Sequence, residues 1–60
     1  METYNAGDFE ILMNTDEASD PISWRMKGDD EWERTPFQTA DASHSVAEAM
    51  ALVEEWLANQ

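Results

Sequence analysis

The chain has 60 residues and a formal net charge of −11, because it holds 14 aspartates and glutamates but only 3 lysines and arginines. So few cations argue against direct binding of DNA, RNA or an anionic membrane, since those polyanions are held by lysine and arginine. Cysteine is absent, which excludes disulfides, thiolate metal sites and thiol nucleophiles and is typical of a reducing cytoplasm.

The first ten residues, METYNAGDFE, are acidic and lack the apolar run of a secretory signal. No stretch approaches the roughly 20 apolar residues of a membrane helix. We therefore expect one soluble, cytoplasmic, monomeric domain over residues 1–60.

The first predicted strand is Phe9–Met13, in which apolar residues alternate with Glu10 and Leu12 so that one face is buried. The following residues, Asn14–Pro21, are rich in side chains that favour turns and predict a polar loop.

A second alternation predicts a strand with an inner face of Ile22, Trp24 and Met26 and an outer face of Ser23, Arg25 and Lys27. Gly28-Asp29-Asp30 then has the residue types of a tight connection. The return strand of this hairpin is predicted from about Glu31 to Thr35.

In that return strand Trp32 would lie on the inner face, and Glu31 and Glu33 would meet Lys27 and Arg25 across the ladder. Arg34 would share the face of Trp32, which conflicts with burial of that face. Pro36 lacks a ladder donor and indicates an edge strand or the end of the strand, after which Phe37 is expected to return to the core.

The C-terminal segment predicts a helix that begins near Val46. Its apolar residues form one stripe at helical spacing: Val46, Ala49, Met50, Val53, Trp56 and Leu57. Ser45 and Glu48 have the spacing of a capping box. The order predicts an α+β fold in which a three-stranded antiparallel sheet is packed by one C-terminal helix, with Trp24, Trp32 and Trp56 in the core.

No motif for catalysis or cofactor binding is present. The acidic runs lack the spacing of a calcium loop, and His44 is the only histidine. Ser43, His44 and Ser45 adjoin at a helix start, which does not create a catalytic triad. The two glycines are too far apart to form a phosphate loop. We expect no enzyme activity, no metal and no cofactor.

The distribution of negative charge is the remaining signal. Residues 1–20 hold six acidic residues and residues 41–60 hold four, and neither segment holds a lysine or an arginine. Clustering identifies two groups of candidate partner-binding residues: Asp29, Asp30 and Glu31 at the hairpin tip, and Asp16, Glu17 and Asp20 in the first loop. The expected partner is a basic, nucleic-acid-binding protein. The alternative interpretation is that the charge serves solubility alone.

In size, charge and order of elements the chain resembles the small acidic inhibitors of bacteriophages, especially anti-CRISPR proteins, with those acting on type I-C systems foremost. The segment from Trp32 to Leu57 is also similar in pattern to small phage inhibitors of bacterial RNA polymerase. The resemblance implies a DNA mimic in the host cytoplasm, whose carboxylates occupy the arginine and lysine sites of a CRISPR effector subunit.

Two other classes stay open. HicB-type antitoxin domains also have strands followed by Ser-x-x-Glu-Ala at a helix start, as Ser45–Ala49 does here, which implies neutralisation of a basic ribonuclease toxin. This chain lacks the DNA-binding segment that such antitoxins usually append. A self-associating structural protein is the third class, and it would need an apolar interface to overcome the net charge.

Overall fold

Four strands, a short 3-10 helix and one α-helix follow one another along the chain, which a computed structural model describes over all 60 residues. They are β1 (Glu2–Asn5), β2 (Phe9–Met13), β3 (Pro21–Met26), β4 (Glu33–Gln38), the 3-10 helix (Thr39–Ala42) and α1 (Val46–Ala58). The sheet has the order β1-β2-β3-β4, and every neighbouring pair is antiparallel. The predicted α+β class, antiparallel sheet and C-terminal helix are confirmed, but the sheet has four strands rather than three.

The additional strand is β1, which pairs with β2 so that Tyr4 lies opposite Ile11. Tyr4 is half-buried against the core, whereas the other three residues of the strand are exposed. A single inward side chain leaves no alternation of apolar residues, so the sequence pattern does not reveal the strand. The turn into β2 is closed by Gly7, whose φ is 93° and whose amide donates to Asn5 Oδ1 at 2.9 Å.

The core lies between one face of the sheet and α1. Its fully or almost fully buried apolar residues are Phe9, Ile11, Met13, Ile22, Ala42, Ala49 and Val53. The predicted alternation of β2 is confirmed, since its three odd-numbered residues are buried and its two even-numbered residues are half-buried on the outer face. That outer face has no helix on it.

The ladder between β3 and β4 is interrupted by a bulge. Pro21 lies opposite Gln38 and Ser23 opposite Arg34, so two steps along β3 correspond to four along β4. The buried Thr35 hydroxyl bridges the gap, because it donates to Ile22 O at 2.7 Å and accepts from Phe37 N at 3.2 Å. This irregularity accommodates Pro36, which lies within β4 at the edge of the sheet, as one of the two predictions for it stated.

The return strand of the second hairpin begins two residues later than predicted and extends three residues further. The connection after Met26 comprises residues 27–32 and includes Gly28, whose φ is 96°. Trp24 therefore lies opposite Glu33, and Glu31 and Trp32 precede the strand. The longer loop changes which side chains face the core.

The prediction that Trp32 lies in the core is wrong as a consequence. The Arg25 guanidinium carbon lies 4.2 Å from the centroid of the Trp32 ring, on the side of the sheet away from α1. Trp24 does pack against the core and meets Trp56 edge-to-face at 6.4 Å, and Trp56 meets Phe37 in the same way at 6.5 Å. On the sequence alone, Arg34 would share a buried face with Trp32. That conflict does not arise, because Trp32 lies on the outer face of the sheet with Arg34 and not in the core.

Helix α1 begins at Val46, as predicted. Ser45 Oγ accepts from Glu48 N at 3.3 Å, and Ser45 N donates to Ala42 O, so only one of the two bonds of a capping box forms. Ser43 and His44 have φ values of 53° and 58° and connect the 3-10 helix to α1. No helix in the structure is long and apolar enough to cross a membrane.

Candidate functional site

The meander places successive connections at opposite ends of the sheet. We call the end with residues 6–8, residues 27–32 and the C-terminal turns of α1 the hairpin end. The other end, with residues 14–20, the 3-10 helix and the start of α1, is the loop end. Asp29, Asp30 and Glu31 lie at the hairpin end, and Asp16, Glu17 and Asp20 lie at the loop end. The two predicted groups are therefore not brought together into one surface.

The hairpin end contains a hollow lined only by acidic residues. Asp29, Asp30, Glu31 and Glu33 surround a volume of about 290 Å³, and all four are exposed. The turn is fixed by the amide of Asp29, which donates to Met26 O at 3.0 Å. Glu33 joins the three predicted residues here because it is the first residue of β4, directly after the loop, and lies opposite Trp24. The hollow concentrates exposed carboxylates at the connection between β3 and β4.

The three cations of the chain, Arg25, Lys27 and Arg34, lie in the same hairpin but make no ion pair with this group. The predicted pairing of Arg25 and Lys27 with Glu31 and Glu33 does not form, because the loop is longer than the sequence suggested. Arg25 instead binds Glu10 of β2, with Nε 3.2 Å from Oε1, and this is the one ion pair of the molecule.

A second hollow, beside the hairpin end, is lined by both apolar and acidic residues. The turn before β2, the end of β3 and the last turns of α1 surround a volume of about 360 Å³. Its lining residues are Ala6, Gly7, Asp8, Phe9, Met26, Glu54 and Leu57. Lys27 N donates to Asp8 O at 3.2 Å, which ties the two turns of this end together. Sequence reasoning missed this hollow, because its residues come from three separate elements.

At the loop end several polar groups have structural contacts. The Asp41 carboxylate accepts from Gln38 N at 2.8 Å, and Thr39 N donates to the main-chain oxygen of Asp20 at 3.0 Å. His44 Nδ1 lies 2.7 Å from Thr15 O. These contacts hold the 3-10 helix against the loop and account for His44 as a structural residue.

The side chains that could serve as metal ligands or as a nucleophile and its base are separated from one another or have other partners. No group of three or more histidine, aspartate and glutamate side chains is placed to hold a metal ion. Ser45 Oγ is engaged by Glu48 N, and His44 by Thr15 O, so these neighbours do not form a nucleophile and its base.

No protein-family model matches the chain. Searches of curated proteins and of solved structures also find no match.

Proposed function

We propose that this chain is an inhibitor that binds the basic, nucleic-acid-binding surface of a host protein and catalyses no reaction. The observation that carries the proposal is the acid-lined hollow of Asp29, Asp30, Glu31 and Glu33 at the hairpin end, whose carboxylates make no ion pair. An exposed surface of this sign attracts grooves rich in arginine and lysine and repels nucleic acid.

Charge density supports mimicry of DNA. The longest dimension of the molecule is 27 Å, and the same length of B-DNA axis carries roughly 16 phosphate charges at one per about 1.7 Å. The chain carries 14 carboxylate side chains and a net charge of −11. The two values are of the same order, so a groove built for DNA would meet a comparable charge on this protein.

The target class follows from the resemblance to phage inhibitors. A CRISPR effector subunit in the bacterial cytoplasm is the first target to test, and a bacterial RNA polymerase is the second. A basic ribonuclease would instead support the antitoxin alternative. All three targets share the same recognition chemistry, which is a cationic surface that ordinarily grips a polyanion.

The test is capture from nuclease-treated bacterial lysate by the immobilised chain, followed by identification of the retained proteins by mass spectrometry. We expect basic nucleic-acid-binding proteins that are released as NaCl rises, since the Debye length falls from about 10 Å at 0.1 M to about 3 Å at 1 M. Duplex DNA should compete for the same proteins. Retention of only neutral or acidic proteins, or tight binding of DNA by the chain itself, would contradict the proposal.

The hairpin end can be tested with a variant matched in charge. Reversal of Asp29, Asp30 and Glu31 to lysine changes the net charge from −11 to −5, and so does reversal of Asp16, Glu17 and Asp20 at the loop end. We expect the first triple variant to lose the captured partner and the second to retain it at reduced affinity. Equal loss in both variants would show that net charge alone governs binding.

A further inference from the structure

The second hollow of the hairpin end has an apolar floor. Met26 is 45% exposed there, and it is one of only two large apolar side chains so exposed in the molecule. Phe9 and the half-buried Leu57 contribute further apolar surface. The exposed side chain of Met26 provides a flexible surface against which an apolar chain can pack.

Two carboxylates accompany this floor. Asp8 lies on the turn before β2, and Glu54 lies on α1, so the negative charges come from different elements. Neither makes an ion pair, because the one ion pair of the molecule is between Arg25 and Glu10. Glu54 is also close to the C-terminal end of α1, where no basic residue is present and where the helix dipole favours a cation.

We propose that this hollow receives the side chain of a lysine or arginine from the basic partner. Long basic side chains lay an apolar stem along apolar surface and keep the charged head among polar groups. The stem would pack on Met26 and Leu57, and the head would lie near Asp8 and Glu54. This inference rests on the proposed function and identifies the element of the partner that the hairpin end recognises.

The other two hollows fit such a side chain less well. The hollow at Asp29–Glu33 has no apolar lining, so it attracts charge without holding a stem. The hollow between α1 and β4 is lined by Phe37, Leu52 and Trp56 but offers a single carboxylate, Glu55. Only the hollow at Met26 combines apolar surface with two unpaired acids.

The probes are three hexapeptides titrated at low ionic strength: hexalysine, hexa-arginine and a hexapeptide of 2,4-diaminobutyric acid, the last a cation with a stem of two methylenes. The readout is the NMR shift of the 13C-labelled methyl group of Met26, with the fully buried Met13 as internal reference. We expect hexalysine and hexa-arginine to shift the Met26 methyl strongly. The short-stemmed peptide should bind the acidic surface yet leave that methyl nearly unchanged.

Neighbouring glutamates of α1 provide a matched pair of variants. Glu54→Lys and Glu55→Lys reverse the same charge at adjacent exposed positions, but only Glu54 lines the hollow. We expect Glu54→Lys to weaken hexalysine binding about fivefold more than Glu55→Lys, because it places a like charge at the binding position.

The outcomes separate this inference from the proposed function. The inference is overturned if the Met26 methyl does not move, if stem length makes no difference, or if the two glutamate variants bind equally. Binding of hexalysine elsewhere on the acidic surface would overturn the inference that the hollow receives a basic side chain, but it would leave the inhibitor proposal standing. Binding at the hollow combined with capture of only neutral proteins would overturn the inhibitor proposal instead.

Discussion

A single hydroxyl group joins the two strands at the bulge. Thr35 is buried, and its oxygen both donates to Ile22 O and accepts from Phe37 N. Two main-chain groups beside the interrupted ladder gain a hydrogen-bond partner in this way. The residue at this position is therefore constrained by hydrogen bonding more than by volume.

We expect Thr35→Val to lower the free energy of unfolding by about 1–3 kcal/mol, because valine fills the same space and leaves buried polar groups unpaired. Thr3→Val is the matched control, since Thr3 is exposed on β1 and should change stability by less than about 0.5 kcal/mol. Urea denaturation followed by tryptophan fluorescence measures both. Equal effects of the two variants would contradict the role given to the Thr35 hydroxyl.

At the scale of the elements, the strength of each sequence pattern determines how well the element could be predicted. Helix α1 begins at the predicted residue because its apolar stripe and the Ser45 cap give independent signals. Strand β2 matches its predicted bounds because three buried side chains alternate. Strand β1 has only Tyr4 facing the core, so its place in the sheet depends on the ladder with β2, which no local pattern encodes.

The candidate site was predicted in part for a related reason. Charge clustering identified Asp29, Asp30 and Glu31, but the length of the loop decides that Glu33 joins them and that Trp32 leaves the core. Asp8 and Glu54 are 46 positions apart in sequence, and only the packing of α1 on the sheet brings them to one hollow. Residues that only the tertiary structure brings together show no characteristic spacing in the sequence, so sequence patterns cannot identify them.

The contribution of β1 can be tested at Tyr4. We expect Tyr4→Ala to destabilise the fold by about 1–3 kcal/mol, because it removes a half-buried ring that packs against the core. Thr3→Ala alters the same strand on its outer face and should cost less than about 0.5 kcal/mol. Thermal unfolding by circular dichroism compares the two. If Tyr4→Ala were as mild as Thr3→Ala, β1 would not be covering the core.

At the scale of the whole molecule, self-repulsion should limit stability. The net charge is −11 and only one ion pair forms, so the folded state gathers like charges within a body of 27 × 23 × 17 Å. We expect the thermal midpoint to rise by several degrees as NaCl increases from about 0.02 M to about 0.2 M, since salt screens that repulsion.

A neutralised variant provides the comparison for the salt effect. Replacement of Asp16, Glu17 and Asp20 by their amides reduces the net charge to −8, and the rise with salt should become smaller. These side chains make no ion pair, so little stabilising interaction is lost. A midpoint that falls with salt, or that responds equally in both proteins, would contradict a limit set by repulsion.

The placement of acidic groups at both ends of the sheet affects how the molecule approaches a cationic groove. Eight carboxylates and all three cations lie toward the hairpin end, which gives it a formal charge of −5: Asp8, Glu10, Asp29, Asp30, Glu31, Glu33, Glu54 and Glu55 with Arg25, Lys27 and Arg34. Six carboxylates and no cation lie toward the loop end, which gives it a formal charge of −6: Glu2, Asp16, Glu17, Asp20, Asp41 and Glu48. Because charge is shared almost equally between the two ends, the molecule has a large net charge but only a small dipole along the strands. The field of a cationic groove therefore exerts little torque on it. Long-range attraction therefore speeds the encounter without choosing an orientation, and the choice between the ends is made only when the surfaces touch.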